Sequence, residues 1–336
     1  MGRDVTFFEE RADGTQGTLN DLAARVERQL GDYGKRIFRE DTCIYVVGSG
    51  GRGEMSEHSD IDLFVARVKR EPSDVDAFQV RSAIAQALYE MGRQDPSQGG
   101  EYLRMHTAGS LCAQMGTPAD DASNTLTARM LLLLESRPLV GSAAYGQLLG
   151  MVLDAYWPDA KGHEDDFQPF VLVNDIVRYW RILLLNYVAK NVEKERELEG
   201  TRRDGERRLR SYKLRFSRCM TCFSALARLL AVTARGAVTK SHVLEIVTQR
   251  PIERLGAIAA QVTAAAEHVE VLLGLYESFL RHTEKPKTEL IDGFSTAGFK
   301  DERMKEGQEF GDRMFDLLQE LGRKDRGKEL LRHMLV

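Results

Sequence analysis

Two aspartates separated by one apolar residue, Asp60-Ile61-Asp62, follow a turn with glycines at 48, 50, 51 and 53 and a serine at 49. The runs on either side, Thr42 to Val47 and Ile61 to Val65, are β-branched and apolar and read as strands. Residues two apart on a strand share a face, so the Asp60 and Asp62 carboxylates should project together. Like charges that close call for a cation between them. An all-oxygen pair suits Mg²⁺, which keeps several waters and binds through one or two carboxylates plus phosphate oxygens. The glycines permit positive φ and let main-chain amides approach a ligand with no Cβ in the way. A short helix near Arg52 would add an amide-rich end for phosphate. GSGGRG breaks the dinucleotide fingerprint and lacks the G-K-[ST] ending of a P-loop, so both of those routes to a nucleotide are set aside. A phosphate-holding turn followed by a metal pair on the next strand is what transfer of a nucleotidyl group from a triphosphate requires.

These residues must be carried by a sheet. Apolar positions Leu19, Leu22, Ala23, Val26 and Leu30 recur at helical spacing and predict a helix over 17–39, ahead of the first strand. Asp74 to Met91 predicts a helix behind a Pro72-Ser73 start signal. Tyr102 to Met105 predicts a third strand, and Thr125 to Glu135 a helix punctuated by Pro138 and Gly141. From Phe167 onward the pattern is helical throughout, including 172–190, 206–234, 252–281 and 302–321. The chain of 336 residues is long enough for two domains. The expected division is 1–140 and 141–336, with the change of character lying between about residues 137 and 165.

At Val47, Gly48, Ser49, Asp60, Ile61 and Asp62 the sequence resembles the nucleotidyltransferases of the DNA-polymerase-β-like superfamily. The string GSGGRGEMSEHSDID is most similar to the branch of bacterial regulators that uridylylate or adenylylate proteins and to related nucleotidyltransferases, and TARMLLLLESRPLVG has the flavour of a segment of the same enzymes. The resemblance implies an α+β fold, with an N-terminal nucleotidyltransferase-type mixed sheet flanked by helices and then a larger all-helical domain that completes the nucleotide and acceptor cleft. It implies that Gly48 and Ser49 contact a triphosphate, that Asp60 and Asp62 hold Mg²⁺, and that a third carboxylate from a neighbouring strand activates the attacking hydroxyl. Glu101 is the expected third carboxylate, with Asp95 behind it. Arg52, by charge and location, is a further expected phosphate contact. Glu54, Glu57 and His58 read as helix surface and His106 as structural.

The segment 202–218 carries eight basic and two acidic side chains. Leu209, Tyr212, Phe216, Cys219, Phe223, Leu226 and Leu230 make one face of that helix core. Arg210, Lys213, Ser217 and Thr221 form a polar stripe, and Lys213 is the expected phosphate contact because similar two-domain transferases place a helical-domain lysine there. Asp175 and Arg178, three apart, can pair on their helix. Tyr179, Trp180 and Tyr187 read as core. Cys219 and Cys222 form a C-x-x-C with no second ligand pair nearby and read as packing.

With 43% hydrophobic and 29% charged residues and a formal charge of −4, the composition is that of a globular protein without a general affinity for polyanions. The basic run is confined to one helix, and extended nucleic-acid binding is not expected. The absence of a long apolar run argues against a membrane partner. That absence and the four cysteines point to the cytoplasm. Expected partners are a nucleoside triphosphate, ATP first, and a small-molecule or protein acceptor. The reaction expected is Mg²⁺-dependent transfer of a nucleoside monophosphate to a hydroxyl with release of pyrophosphate. The alternative is a catalytically degenerate nucleotide-binding regulatory module.

Overall fold

The computed structural model describes residues 6–71, 73–93, 103–194, 200–323 and 325–335. The fold is α+β, and the chain divides into two compact units, Met1–Pro158 and Asp159–Val336.

The first unit is built on a four-stranded mixed sheet of β1 (Thr42–Val47), β2 (Asp62–Arg67), β3 (Met105–Thr107) and β4 (Arg137–Val140), in the order β3-β2-β1-β4. β1 pairs antiparallel with β2 and β4, and β2 pairs parallel with β3. β1 is buried along its whole length, as a central strand with both faces covered should be. On one face Ile44, Val46, Leu63 and Val65 pack with Leu22 and Val26 of α1 (Thr6–Glu40) and with Val80 and Ile84 of α3 (Asp74–Glu90). On the other, Tyr45 stacks on Phe64 with centroids 5.4 Å apart, and Tyr145 closes over them at 6.0 Å from Tyr45. Tyr145 belongs to α7 (Ser142–Asp154), which follows α2 (Gly48–Arg52), α4 (Ala108–Cys112), α5 (Pro118–Ala122) and α6 (Thr125–Glu135). Because α7 packs on β1 and β2, the division falls after Pro158 rather than at the expected 140/141.

Several elements differ from expectation. The third strand begins at Met105, the last residue of the predicted one. β4 forms where the sequence offers only punctuation around Pro138. It lies at the sheet edge, where a proline that cannot donate to a ladder is tolerated. α1 begins at Thr6, eleven residues before the predicted start, and is broken at Gly31, whose φ of 53° and ψ of −136° are not helical.

A buried ion cluster ties β1 and β2 to α3. The Arg67 guanidinium reaches Asp41 at 3.1 Å and Asp76 at 2.6 Å, and Arg70 reaches the other oxygen of Asp41 at 3.1 Å. Burial alone would raise the Asp41 pKa, but the hydrogen bonds from Arg70 and Arg67 outweigh it and hold the carboxyl below its ordinary 3.8. A depressed carboxylate gives stability that is present above the unfolded value and lost as pH falls through the folded one. Asp41→Asn is therefore expected to lower the urea midpoint at pH 7 and to flatten its decline below about pH 4. Parallel midpoint curves for Asp41→Asn and the parent between about pH 3 and 5 would remove Asp41 from that dependence.

The second unit is helical among the described residues. Its elements are α8 (Phe170–Lys194), α9 (Gly200–Lys213), a π-helical turn at Leu214–Arg218, α10 (Cys219–Thr233), α11 (Lys240–Thr248), α12 (Pro251–Gln261), α13 (Ala266–His282), α14 (Lys287–Ser295), α15 (Ala297–Leu321) and α16 (Asp325–Leu335). Tyr212, Phe216, Tyr276, Phe279, Phe294 and Phe310 form an aromatic core, with the Phe216 and Phe279 rings stacked at 4.9 Å. Asp175 is buried and paired with Arg178 at 2.8 Å. Cys219 and Cys222 are buried, and burial pushes the Cys219 thiol up to about 12. No helix among the described residues is long and apolar enough to cross a membrane.

Candidate active site

β1 ends at Val47, which pairs with Asp62 at the start of β2, so the glycine turn leaves one strand opposite the aspartate that opens the other. Ile61, Leu63 and Val65 enter the core under α1 and α3. Asp62 and Phe64 alternate to the other face, and Asp60 lies in the loop just ahead of β2. Exposure rises toward the start of the strand: Phe64 is buried, Asp62 half-buried and Asp60 exposed. Asp62 thus stands at a rim, where the aromatic cover of Tyr45, Phe64 and Tyr145 gives way to solvent.

Gly48 has φ of +65°, and a Cβ there would lie 3.4 Å from Asp62 Oδ2. A side chain would be strained in that backbone conformation and would stand against the carboxylate. Ser49 is half-buried in α2 beside it. Gly50 and Gly51 serve packing. A Cβ on Gly50 would meet Val46 Cγ2 at 2.4 Å, and one on Gly51 would meet the Glu135 carbonyl oxygen at 1.9 Å. The turn is wedged onto the end of α6 and is not a flexible loop. Gly51→Ala forces two backbones apart and is expected to cost about 3 kcal/mol of stability, measured by chemical denaturation. An unchanged midpoint would mean that the turn repacks freely.

Arg52, expected at phosphate, is turned inward. It ends α2 rather than starting it, its side chain is 6% exposed, and its Nε donates to Glu54 Oε2 at 2.6 Å while Nη1 donates to Glu135. The geometry makes it the buried cation between two buried carboxylates. Glu54 is accordingly not on a helix surface, whereas Glu57 and His58 lie exposed in a turn. The partner Glu135 is 83 residues away in sequence, and no local pattern could have revealed it.

Glu101 and Asp95 lie outside the described residues. The described part of the neighbouring strand, Met105, His106 and Thr107, carries no carboxylate. His106 pairs with Ala66, and its ring centroid is 5.7 Å from that of Phe64. Burial, with Arg104 nearby, pushes its pKa down to about 4 and keeps the imidazole neutral. In the second unit Lys213 is exposed at the end of α9. The polar stripe expected beyond it is interrupted: Ser217 and Thr221 are buried, and the Thr221 hydroxyl donates to the Ser217 carbonyl at 3.0 Å. The π-helical turn changes the angular register, which rotates these two positions inward.

Could these residues hold Mg²⁺? Among the described residues no three or more His, Cys, Asp or Glu are grouped to hold a metal, so no all-protein cage exists there. Asp60 makes no hydrogen bond or ion pair with the described residues, in contrast to Asp41, Asp76, Asp120 and Asp175, each of which is bound to an arginine. An exposed carboxylate and a half-buried one two residues apart fit an ion that takes one or two protein oxygens and leaves its other positions to water and phosphate.

Residues 28–90 match the family model described as a nucleotidyltransferase domain. The matched stretch runs from within α1 through β1, the glycine turn and both aspartates to the end of α3. It supports a transferase domain of this kind, with a nucleotide substrate. No match was found among curated proteins.

Proposed function

We propose that the chain is a Mg²⁺-dependent nucleotidyltransferase that moves a nucleoside monophosphate, AMP from ATP, onto a hydroxyl of a small molecule or a protein side chain, releasing pyrophosphate. The observation that carries this reading is the register that pairs Val47 with Asp62 and so brings Gly48 against the Asp62 carboxylate, two residues after Asp60, inside the segment that matches a nucleotidyltransferase domain. Bound Mg²⁺ would neutralise charge on the triphosphate and on the developing transition state.

The protein's own part is positioning. Asp60 and Asp62 supply the oxygens that hold the ion, and the Gly48–Ser49 backbone lies close enough to Asp62 to place phosphate oxygens beside it. Lys213, exposed at the end of α9, is the proposed cationic contact from the helical unit. Glu101 is the proposed group that orients or deprotonates the acceptor hydroxyl. A small molecule is the first proposed acceptor, and a protein side chain, of the kind modified by the bacterial regulatory branch that the sequence resembles, is the second. The proposed compartment is the cytoplasm.

The test is incubation of the protein with each α-labelled nucleoside triphosphate, Mg²⁺ and a cell lysate, following label into protein and small-molecule fractions. Label is expected from ATP, dependent on divalent ion. Equal labelling by the variant lacking both carboxylates would end the transfer hypothesis, and triphosphate binding without transfer would leave the degenerate regulatory module in its place.

A further inference from the structure

The segment that delivers Asp60 has no regular structure: residues 54–61 connect the glycine turn to β2 as loop and turn. A metal ligand at the end of such a loop must be held to within about half an ångström, and the structure shows what holds it. Both peptide groups of Met55 are bound by α1. Its N–H donates to Thr15 Oγ1 at 3.0 Å, and its carbonyl accepts from Arg11 Nη1 at 3.3 Å. Thr15 is 2% exposed, and its own hydroxyl donates to the Arg11 carbonyl at 2.8 Å, which aims a lone pair at Met55. The Met55 side chain is buried in the core cluster beneath.

From there the chain closes on itself. The Ser56 N–H donates to Ser59 Oγ at 2.9 Å, and the Ser59 N–H donates to the Ser56 carbonyl at 3.1 Å. Arg93 Nη1 donates to the Glu57 carbonyl at 2.5 Å. The next residue is Asp60. Thr15 and Arg11 lie upstream of the matched segment 28–90, so the anchor belongs to this chain's own N-terminal helix.

We infer that Thr15, through Met55 and the Ser56–Ser59 turn, is the positioning residue for Asp60, so that the N-terminal half of α1 sets the divalent-ion geometry of the site. The inference rests on the reading of Asp60 as a metal ligand given above. A merely structural Thr15 would satisfy a buried amide, and its loss would lower stability without changing ion affinity in the folded protein. A positioning Thr15 changes the affinity itself, because groups that orient metal ligands are worth about 10- to 100-fold in metal binding.

The experiment uses the full chain, α,β-methylene-ATP and Mn²⁺ as a paramagnetic stand-in for Mg²⁺, with free Mn²⁺ read by electron paramagnetic resonance. Thr15→Val, which keeps the shape and removes the acceptor, is expected to weaken Mn²⁺ about tenfold. Thr15→Ser should restore it to within about twofold, and Ser59→Ala, which leaves α1 untouched, should weaken it by about the same factor as Thr15→Val. Amide exchange at Met55 should accelerate in Thr15→Val. Parental Mn²⁺ affinity in Thr15→Val or Ser59→Ala, alongside lost affinity in Asp60→Asn with Asp62→Asn, overturns the positioning role and leaves the metal site standing. Parental affinity in that double variant overturns the metal site and the positioning role with it. Should Thr15→Val fail to fold, Ser59→Ala decides between the same two outcomes.

Discussion

Asp60→Asn combined with Asp62→Asn is expected to lower nucleotidyl transfer by at least about 10³-fold, because metal stabilisation of transition-state charge is worth several kcal/mol and about 1.4 kcal/mol is a factor of ten. The substitution keeps side-chain size and removes both charges. It should not cost stability at Asp60, which is exposed and makes no hydrogen bond or ion pair with the described residues. Two adjacent carboxylates repel in the absence of a cation, so Asp60→Asn alone should melt at or slightly above the parental temperature. Removing a structural aspartate behaves oppositely: Asp41→Asn removes one carboxylate partner from each of two arginines. Activity from pyrophosphate release and melting by calorimetry, taken together, separate the two kinds of aspartate. Retained transfer in the double variant defeats the metal reading, and a marked loss of stability in Asp60→Asn defeats the view of Asp60 as a spare ligand.

What the sequence showed of this architecture follows from the range over which each signal acts. β1, β2 and α3 come from periodicities of two and 3.6 residues, which local order carries, and they fall within a few residues of expectation. The same periodicity predicts one face for Asp60 and Asp62, but β2 begins only at Asp62 and Asp60 lies in the loop ahead of it. The polar stripe fails at Ser217 and Thr221 because it requires a constant angular step, and the π-helical turn at Leu214–Arg218 breaks it. β4 has only four residues, one of them proline, too short for a pattern to emerge. The N-terminal part of α1 carries Gly14 and Gly17, which weaken a helical signal, yet Thr15 there makes a buried contact 40 residues away. The roles of Gly51 and Arg52 are non-local as well. A glycine required by a carbonyl at Glu135 looks the same in sequence as a glycine required by a ligand.

Arg52→Ala is expected to destabilise the first unit by about 3–5 kcal/mol, because removal of one partner leaves uncompensated buried charge. The side chains of Glu54 and Glu135 are 4% and 0% exposed, so water cannot replace the guanidinium. The fork geometry matters in addition to the charge, since Nε serves one carboxylate and Nη1 the other. Lysine is a point charge on a flexible stem and cannot reach both in that geometry. Arg52→Lys should therefore lose about 2 kcal/mol, while the folded variant binds triphosphate to within about twofold of the parent. Replacing all three residues together, as Arg52→Met, Glu54→Leu and Glu135→Leu, should recover most of the loss, since an apolar cluster of similar volume does not carry the desolvation cost of three ions. A phosphate-binding Arg52 gives the reverse pattern, with weakened triphosphate binding and parental melting in Arg52→Lys. Denaturation midpoints with nucleotide titrations on the same samples choose between the two. The buried cluster has a mechanistic consequence: it locks the glycine turn to the end of α6, so on the proposed reading Gly48 and Ser49 would meet a triphosphate from a backbone already in place.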